Sequence, residues 1–145
     1  MTPRNPTDLI DHILETHHAL LHRELPVLDA ALRGTPDALS TPWRTLSHLL
    51  RDHLMKEEQI LFPVIQRLVA SGQLVHCGVE GPIHQMNHEH AMITALEAKL
   101  RANLHLAGEH EEKLRMVLDD LAVHAALEED ELFPAAIARA HALGS

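Results

Sequence analysis

The sequence predicts an all-α protein: an up-down-up-down four-helix bundle with an internal two-fold pseudo-repeat. Apolar residues recur at three- and four-residue steps through four segments, the periodicity of helices with one buried face. Glycine and proline gather between those segments. The stretch from His53 through Glu57, Glu58, Leu61 and Phe62 to Pro63 returns from His124 through Glu128, Glu129, Leu132 and Phe133 to Pro134, seventy-one residues on. Six of its eleven positions are identical, where composition alone would give about one match. His18-Ala19 and His90-Ala91 stand thirty-five and thirty-four residues ahead of the two copies. The chain therefore reads as two similar helix pairs, with half-repeats at about 7–70 and 82–142 of one domain, 1–145.

The first helix is expected to start at Thr7-Asp8, a hydroxyl cap with an acid in the first turn. Its stripe is Ile10, Leu14, His17 or His18, Leu21, Leu25, Leu28 and Leu32, ending near Gly34. Pro26 should bend or break it, because the ring displaces a backbone hydrogen bond. Thr41-Pro42 reads as the second helix entry, followed by Leu46, Leu50, His53, Glu57, Leu61, Val64 and Leu68. Ser71 to Gly81, which holds Cys77, is the longest loop. Pro82 opens the third helix, with Ile83, Met86, His90, Ile93, Glu97, Leu100 and Leu104 on its stripe, and Gly108 breaks it. The fourth starts near Glu109 and carries Leu114, Val117, Leu121, His124, Glu128, Leu132 and Ala135.

Composition narrows the functional classes. With no Tyr, two Phe and one Trp, the core must be aliphatic. A net charge of −9 and the lack of a dense Lys/Arg cluster argue against nucleic acid. No apolar run reaches the length of a membrane span, and the N-terminus does not read as a signal peptide. One Cys cannot form an intrachain disulfide and fits a reducing cytoplasm. In its glycine-bearing loop, Cys77 has no neighbour expected to activate it. The fourteen His are scattered through the periodic segments, unlike a purification tag.

All four apolar stripes are interrupted by His, and two of them by Glu as well. His53 and Glu57, like His124 and Glu128, are four apart and share one helix face. An unpartnered carboxylate in a core costs several kcal/mol, a penalty that coordination by neutral imidazole and ionised carboxylate removes. One buried His is usually a hydrogen-bonded core residue, and one His-x-x-x-Glu a surface pair. Four core-face His, two with Glu at the same offset inside a repeat, are not explained that way. His18, His53, Glu57, His90, His124 and Glu128 are thus expected to form a dinuclear metal site. Each metal would take two imidazoles and one oxygen from each bridging Glu, with positions left open. Periodicity does not separate His17 from His18; the repeat selects His18. Glu58 and Glu129, about 100° round the helix, face solvent or touch the ligands from outside. Phe62-Pro63 and Phe133-Pro134 are expected to pack and to kink the helices. Imidazole with carboxylate accepts iron, manganese or zinc.

With these residues in place, the chain resembles the hemerythrin-like, HHE cation-binding superfamily. Within it, the di-iron domain of the iron–sulfur cluster repair proteins is most similar. The resemblance is carried by Leu9 to Ile13, His53 to Pro63, Gly81-Pro82-Ile83 leading to Glu89-His90, Leu118 to Leu121, and His124 to Pro134. It implies two non-haem iron ions, bridged by oxo and carboxylate groups and held by the six residues above. It also places Glu89 beside the third-helix ligand, with a part in iron or proton traffic. The repair proteins usually carry a preceding domain with a Cys pair, which this sequence lacks. They also have one further His ligand, for which His22, one turn from His18, is preferred here over His48 or water.

The expected function is nitrosative or oxidative stress defence, with NO or O₂ bound at the di-iron site and iron donated for iron–sulfur cluster repair. Expected partners are iron–sulfur proteins and an electron donor, with the chain a monomer or homodimer. The alternative is an O₂/NO binding or sensing module without catalysis. Ferritin-type ferroxidase or peroxide chemistry fits less well, because those sites use more Glu and fewer His. A purely structural bundle leaves the polar stripe unexplained.

Overall fold

The computed structural model describes residues 5–72 and 78–144. These form four long helices, with no strand among the described residues. Helix α1 (6–31) joins Pro6–His12, a π-helical turn Ile13–His18, and Ala19–Ala31. Helix α2 (37–71) joins Asp37–Lys56, a π turn Glu57–Leu61, and Phe62–Ser71. Helix α3 is the uninterrupted Glu80–Ala102. A 3-10 stretch, Leu104–His110, leads into α4 (111–144), which joins Glu111–Leu127, a third π turn Glu128–Leu132, and Phe133–Gly144.

Each of the first three helices starts earlier than its sequence signals suggest. Asn5, not Thr7, caps α1: its side chain accepts from the Asp8 amide at 2.8 Å, and Pro6 takes the first turn. Helix α2 opens at Asp37 behind Pro36, leaving Pro42 inside the helix. The α1–α2 connection is therefore a tight turn, in which Thr35 Oγ1 donates to the Leu32 carbonyl at 2.7 Å. Helix α3 begins at Glu80, two residues before Pro82. Nor does Pro26 break α1, which runs on to Ala31. The proline sacrifices one backbone bond, but Leu21, Leu25 and Leu28 on either side are all buried and hold the segment in place. Gly108 does separate α3 from α4, with a positive φ of 57° that glycine adopts without strain. Ser71 is followed by Gly72 at φ 70°, a left-handed helix cap. Cys77 and His76 lie outside the described residues.

The π turns change which residues face inward. A π turn contains one extra residue, so the apolar stripe resumes one position later than straight α-helical counting predicts. After Glu57–Leu61 the buried residues are Phe62, Ile65 and Leu68, with Val64 only half-buried. After Glu128–Leu132 they are Phe133, Ala136 and Ala140, with Ala135 half-buried. In α1, Ile13 is buried where Leu14 was expected. Two of the turns run directly into Phe-Pro, at Pro63 and Pro134. Proline offers no N–H and crowds the carbonyl one turn back, which a widened turn accommodates.

The start of α1 packs on the end of α2, which also meets the end of α4; α2 lies along α3. The helices thus run up and down as a four-helix bundle. Its core falls into two apolar, mostly aliphatic layers. One contains Leu9, Ile10, Phe62, Ile65, Ile83, Met86 and Phe133. The other contains Leu25, Leu28, Trp43, Leu46, Leu100, Leu114 and Leu118. Between them lies a buried polar band: His18, His53, Glu57, His90, His124 and Glu128.

Candidate metal centre

Helix register brings the six polar side chains of this band together. Within α2 and α4 the His-to-Glu step of four residues stacks His53 over Glu57 and His124 over Glu128. Helices α1 and α3 each bring one further imidazole, His18 and His90. The result is two four-residue groups, His18/Glu57/His124/Glu128 and His53/Glu57/His90/Glu128, each with donor atoms within 4.8 Å of one another. Both groups share both carboxylates.

Each Glu turns one oxygen to each His pair. Glu57 Oε1 is 3.1 Å from His18 Nε2 and 3.5 Å from His124 Nε2, while its Oε2 is 3.5 Å from His53 Nε2. Glu128 Oε2 is 3.1 Å from His124 Nε2, while its Oε1 is 2.9 Å from His90 Nε2. In each pair the two Nε2 atoms are 3.1 Å apart, His18 with His124 and His53 with His90. Two nitrogens each about 2.1 Å from one ion, at angles between square and tetrahedral, stand about 3.0–3.4 Å apart. Glu57 Oε2 and Glu128 Oε1 are buried, and the imidazole nitrogens facing them, His53 Nε2 and His90 Nε2, are not in hydrogen-bonding geometry with them. Buried orphan carboxylate oxygens are costly without a cation or donor. This donor set therefore fits cations, and each of the two groups could hold a metal ion.

Electrostatics point the same way. Burial alone would push the Glu57 carboxyl up, but the facing imidazoles of His124, His18 and His53 outweigh it and hold it well below the ordinary range. Burial likewise disfavours the His124 imidazolium, yet Glu128 and Glu57 raise that group well above the usual imidazole value. Ionised carboxylates surrounding imidazoles are the state that a metal ion takes over by displacing protons.

Outside the band, carboxylates hold the far nitrogens of three imidazoles. Glu58 Oε2 bonds His18 Nδ1 at 2.8 Å, Glu89 Oε1 bonds His53 Nδ1 at 2.9 Å, and Glu129 Oε1 bonds His90 Nδ1 at 3.0 Å. Such bonds fix ring orientation and make the opposite nitrogen, which faces the band, a stronger donor. Lys56 Nζ and Gln85 Nε2 each donate to Glu89 Oε2 at 2.9 Å. Against the upward push of burial, Gln85, Lys56 and His53 hold the Glu89 carboxyl below its ordinary value. The sequence left Glu58 and Glu129 between solvent and ligand; their shared place in both copies of the repeat was the available signal.

His22 does not enter either group. It is mostly exposed, and its Nε2 reaches Glu58 Oε2 at 2.7 Å. His48 lines a separate cavity of about 620 Å³ with Trp43, Arg44 and Arg51. His17, by contrast, is 4% exposed. Its Nδ1 bonds Asp120 Oδ1 at 2.9 Å, its ring lies parallel to His124 at 5.8 Å, and its buried Nε2 makes no hydrogen bond. No local pattern announced that Asp120 would meet it. A cleft of about 250 Å³ adjoins the band, lined by His53, His90 and His124 with apolar Leu50, Ile93 and Leu121. Glu97 lines it as well, with burial pushing its carboxyl up.

Comparison with known proteins gives a concordant result. The family model described as the hemerythrin HHE cation binding domain matches residues 9–136. The iron-sulfur cluster repair protein YtfE of Escherichia coli O157:H7 is 30% identical over 90% of this chain. Its counterparts in Escherichia coli O1:K1 and Escherichia fergusonii are 29% identical over the same share. The chain spans 66% of the length of these relatives. None of the described helices is long and apolar enough to cross a membrane. With an all-helical bundle, a buried His/Glu band and a match over most of its length, the chain belongs to the hemerythrin HHE cation-binding family.

Proposed function

We propose that His18, His53, Glu57, His90, His124 and Glu128 hold two iron ions, bridged by Glu57 and Glu128. We further propose that the protein serves in nitrosative or oxidative stress, binding NO or O₂ and donating iron for iron–sulfur cluster repair. The observation that carries this reading is the placement of one oxygen of each buried Glu against each His pair. When bound, a pair of ferrous ions supplies redox-active positions open to a diatomic ligand. The chain's own groups do the rest. Glu58, Glu89 and Glu129 orient the imidazoles, and Lys56 holds Glu89 in place. The two aliphatic layers exclude water from above and below. The cleft beside His53 and His90 offers a small neutral molecule a partly apolar approach.

The same cleft favours a second reading, reversible binding of O₂ or NO without turnover. Metal content per chain of anaerobically purified protein, followed by optical spectra after O₂ and separately after NO, tests the proposal. About two irons per chain with spectral changes on both additions support it; one metal or none after anaerobic iron loading sinks it. Recovery of the starting spectrum when the gas is removed would favour the binding module. Reactivation of a damaged iron–sulfur enzyme, with matching loss of iron from the protein, would favour repair.

A further inference from the structure

The two halves of the centre are related by the internal repeat, and the surroundings of the four imidazoles can be compared through it. His18 corresponds to His90, His53 to His124, Glu57 to Glu128 and Glu58 to Glu129. The symmetry extends to the outer contacts in one case. Glu58 bonds His18 Nδ1 and Glu129 bonds His90 Nδ1, at equivalent positions. It fails in the other. His53 Nδ1 is held by Glu89, the residue before His90. The corresponding residue before His18 is His17, which offers His124 no carboxylate. Instead its ring stacks on His124, and its own Nδ1 bonds Asp120. Among the described residues, the polar contacts of His124 run through Nε2, to His18, Glu128 and Glu57.

The His53/His90 half is thus backed by two carboxylates, Glu89 and Glu129. The His18/His124 half is backed by one, Glu58, which is shared with His22. A carboxylate on the far nitrogen makes an imidazole a stronger and better-aimed donor, and losing one typically lowers metal affinity 10–100-fold. Resting on the reading that the six residues hold two ions, we infer that the two are held unequally. The ion bound by His18 and His124 is the labile one, and the substitution of His17 for a carboxylate makes it so. The ion bound by His53 and His90 stays in place. One half of a nearly symmetric centre is thereby set up to release metal and the other to retain it.

The test is iron release from protein loaded anaerobically with ferrous iron, followed with excess chromogenic ferrous chelator. The wild-type protein should release one equivalent about 10–100-fold faster than the second. His17→Glu, combined with Asp120→Asn to remove a facing negative charge, should slow the fast phase and leave the slow one unchanged. Glu89→Gln should leave the fast phase unchanged and bring the slow one towards it. A general loosening of the bundle would move both phases together, so selective change of one phase separates this role from a structural one. Two irons leaving in a single phase from the wild-type protein would overturn the inference while leaving the two-ion reading intact. So would Glu89→Gln releasing its slow equivalent at the wild-type rate. Fewer than two irons bound after loading would remove the two-ion reading and this inference with it.

Discussion

His124→Ala tests the centre most directly, because His124 touches more of it than any other imidazole. Its Nε2 stands 3.1 Å from His18 Nε2, 3.1 Å from Glu128 Oε2 and 3.5 Å from Glu57 Oε1. Truncation leaves two fully buried carboxylates with one imidazole fewer. Removing one partner of a buried ion pair costs about 3–5 kcal/mol. For a chain of this size each kcal/mol moves Tm by about 2–4 °C, so the metal-free variant should melt about 6–20 °C lower. A cavity alone can cost about as much: Leu118→Ala, at a fully buried position in the adjoining aliphatic layer, should lose about 2–5 kcal/mol. Melting temperature therefore does not discriminate, but metal stoichiometry does. After anaerobic iron loading, Leu118→Ala should keep two irons per chain, and His124→Ala at most one. Elemental analysis beside calorimetry on both variants gives the answer. A His124→Ala protein with two irons and an unchanged Tm would refute the ligand assignment and the electrostatic argument together.

Four further outcomes are expected. Chelation of metal from protein held at 100-fold excess over Kd should remove about 2.7 kcal/mol per site, lowering Tm by roughly 10–20 °C for two sites; an unchanged calorimetric Tm would mean that no ion is bound in the core. His22→Ala and His17→Ala should each retain full metal content by elemental analysis at saturating iron, and loss of an equivalent in either would make that residue a ligand. Burial raises the Glu97 carboxyl in the folded state, so the native protein binds that proton more tightly than the unfolded chain. Stability then declines as pH rises through the window above the ordinary value of 4.5, and Glu97→Gln should gain on the wild type at neutral pH in thermal melts. Asp29 behaves oppositely: burial is outweighed by hydrogen bonds from Ser47, Arg51 and Trp43, which lower its carboxyl. Its contribution is present above 3.8 and lost as pH falls through the depressed value, so Asp29→Asn should be less stable at neutral pH and lose less on acidification.

Fold class was legible because helix periodicity and aliphatic composition are local properties, and the repeat advertised the two-fold arrangement of helix pairs. The six band residues were legible for a related reason. A His or Glu on an apolar stripe is an anomaly that registers in one dimension, and four such anomalies sharing one offset are visible without coordinates. Element boundaries were read less well. Thr7, Pro42 and Pro82 each carry a plausible start signal, but Asn5, Asp37 and Glu80 begin the helices. Helical residues cost little to add at a terminus once neighbouring turns are packed, so tertiary contact moves the start.

The π turns lay beyond sequence counting; two of the three run into Pro63 and Pro134, where a widened turn relieves crowding, and set Phe62 and Phe133 against His18 and His90. By itself, the sequence determined which polar side chains interrupt the apolar stripes and that they share helix faces in matched pairs. Only the tertiary structure decided how those faces meet. It set one oxygen of each Glu against each His pair, sent His22 to Glu58, and gave His53, His18 and His90 carboxylate partners 36 to 40 residues away. It left His124 with His17, whose own Asp120 partner lies 103 residues distant. Side-chain type and helical phase are written locally, whereas the distance between two helices is fixed by everything packed between them.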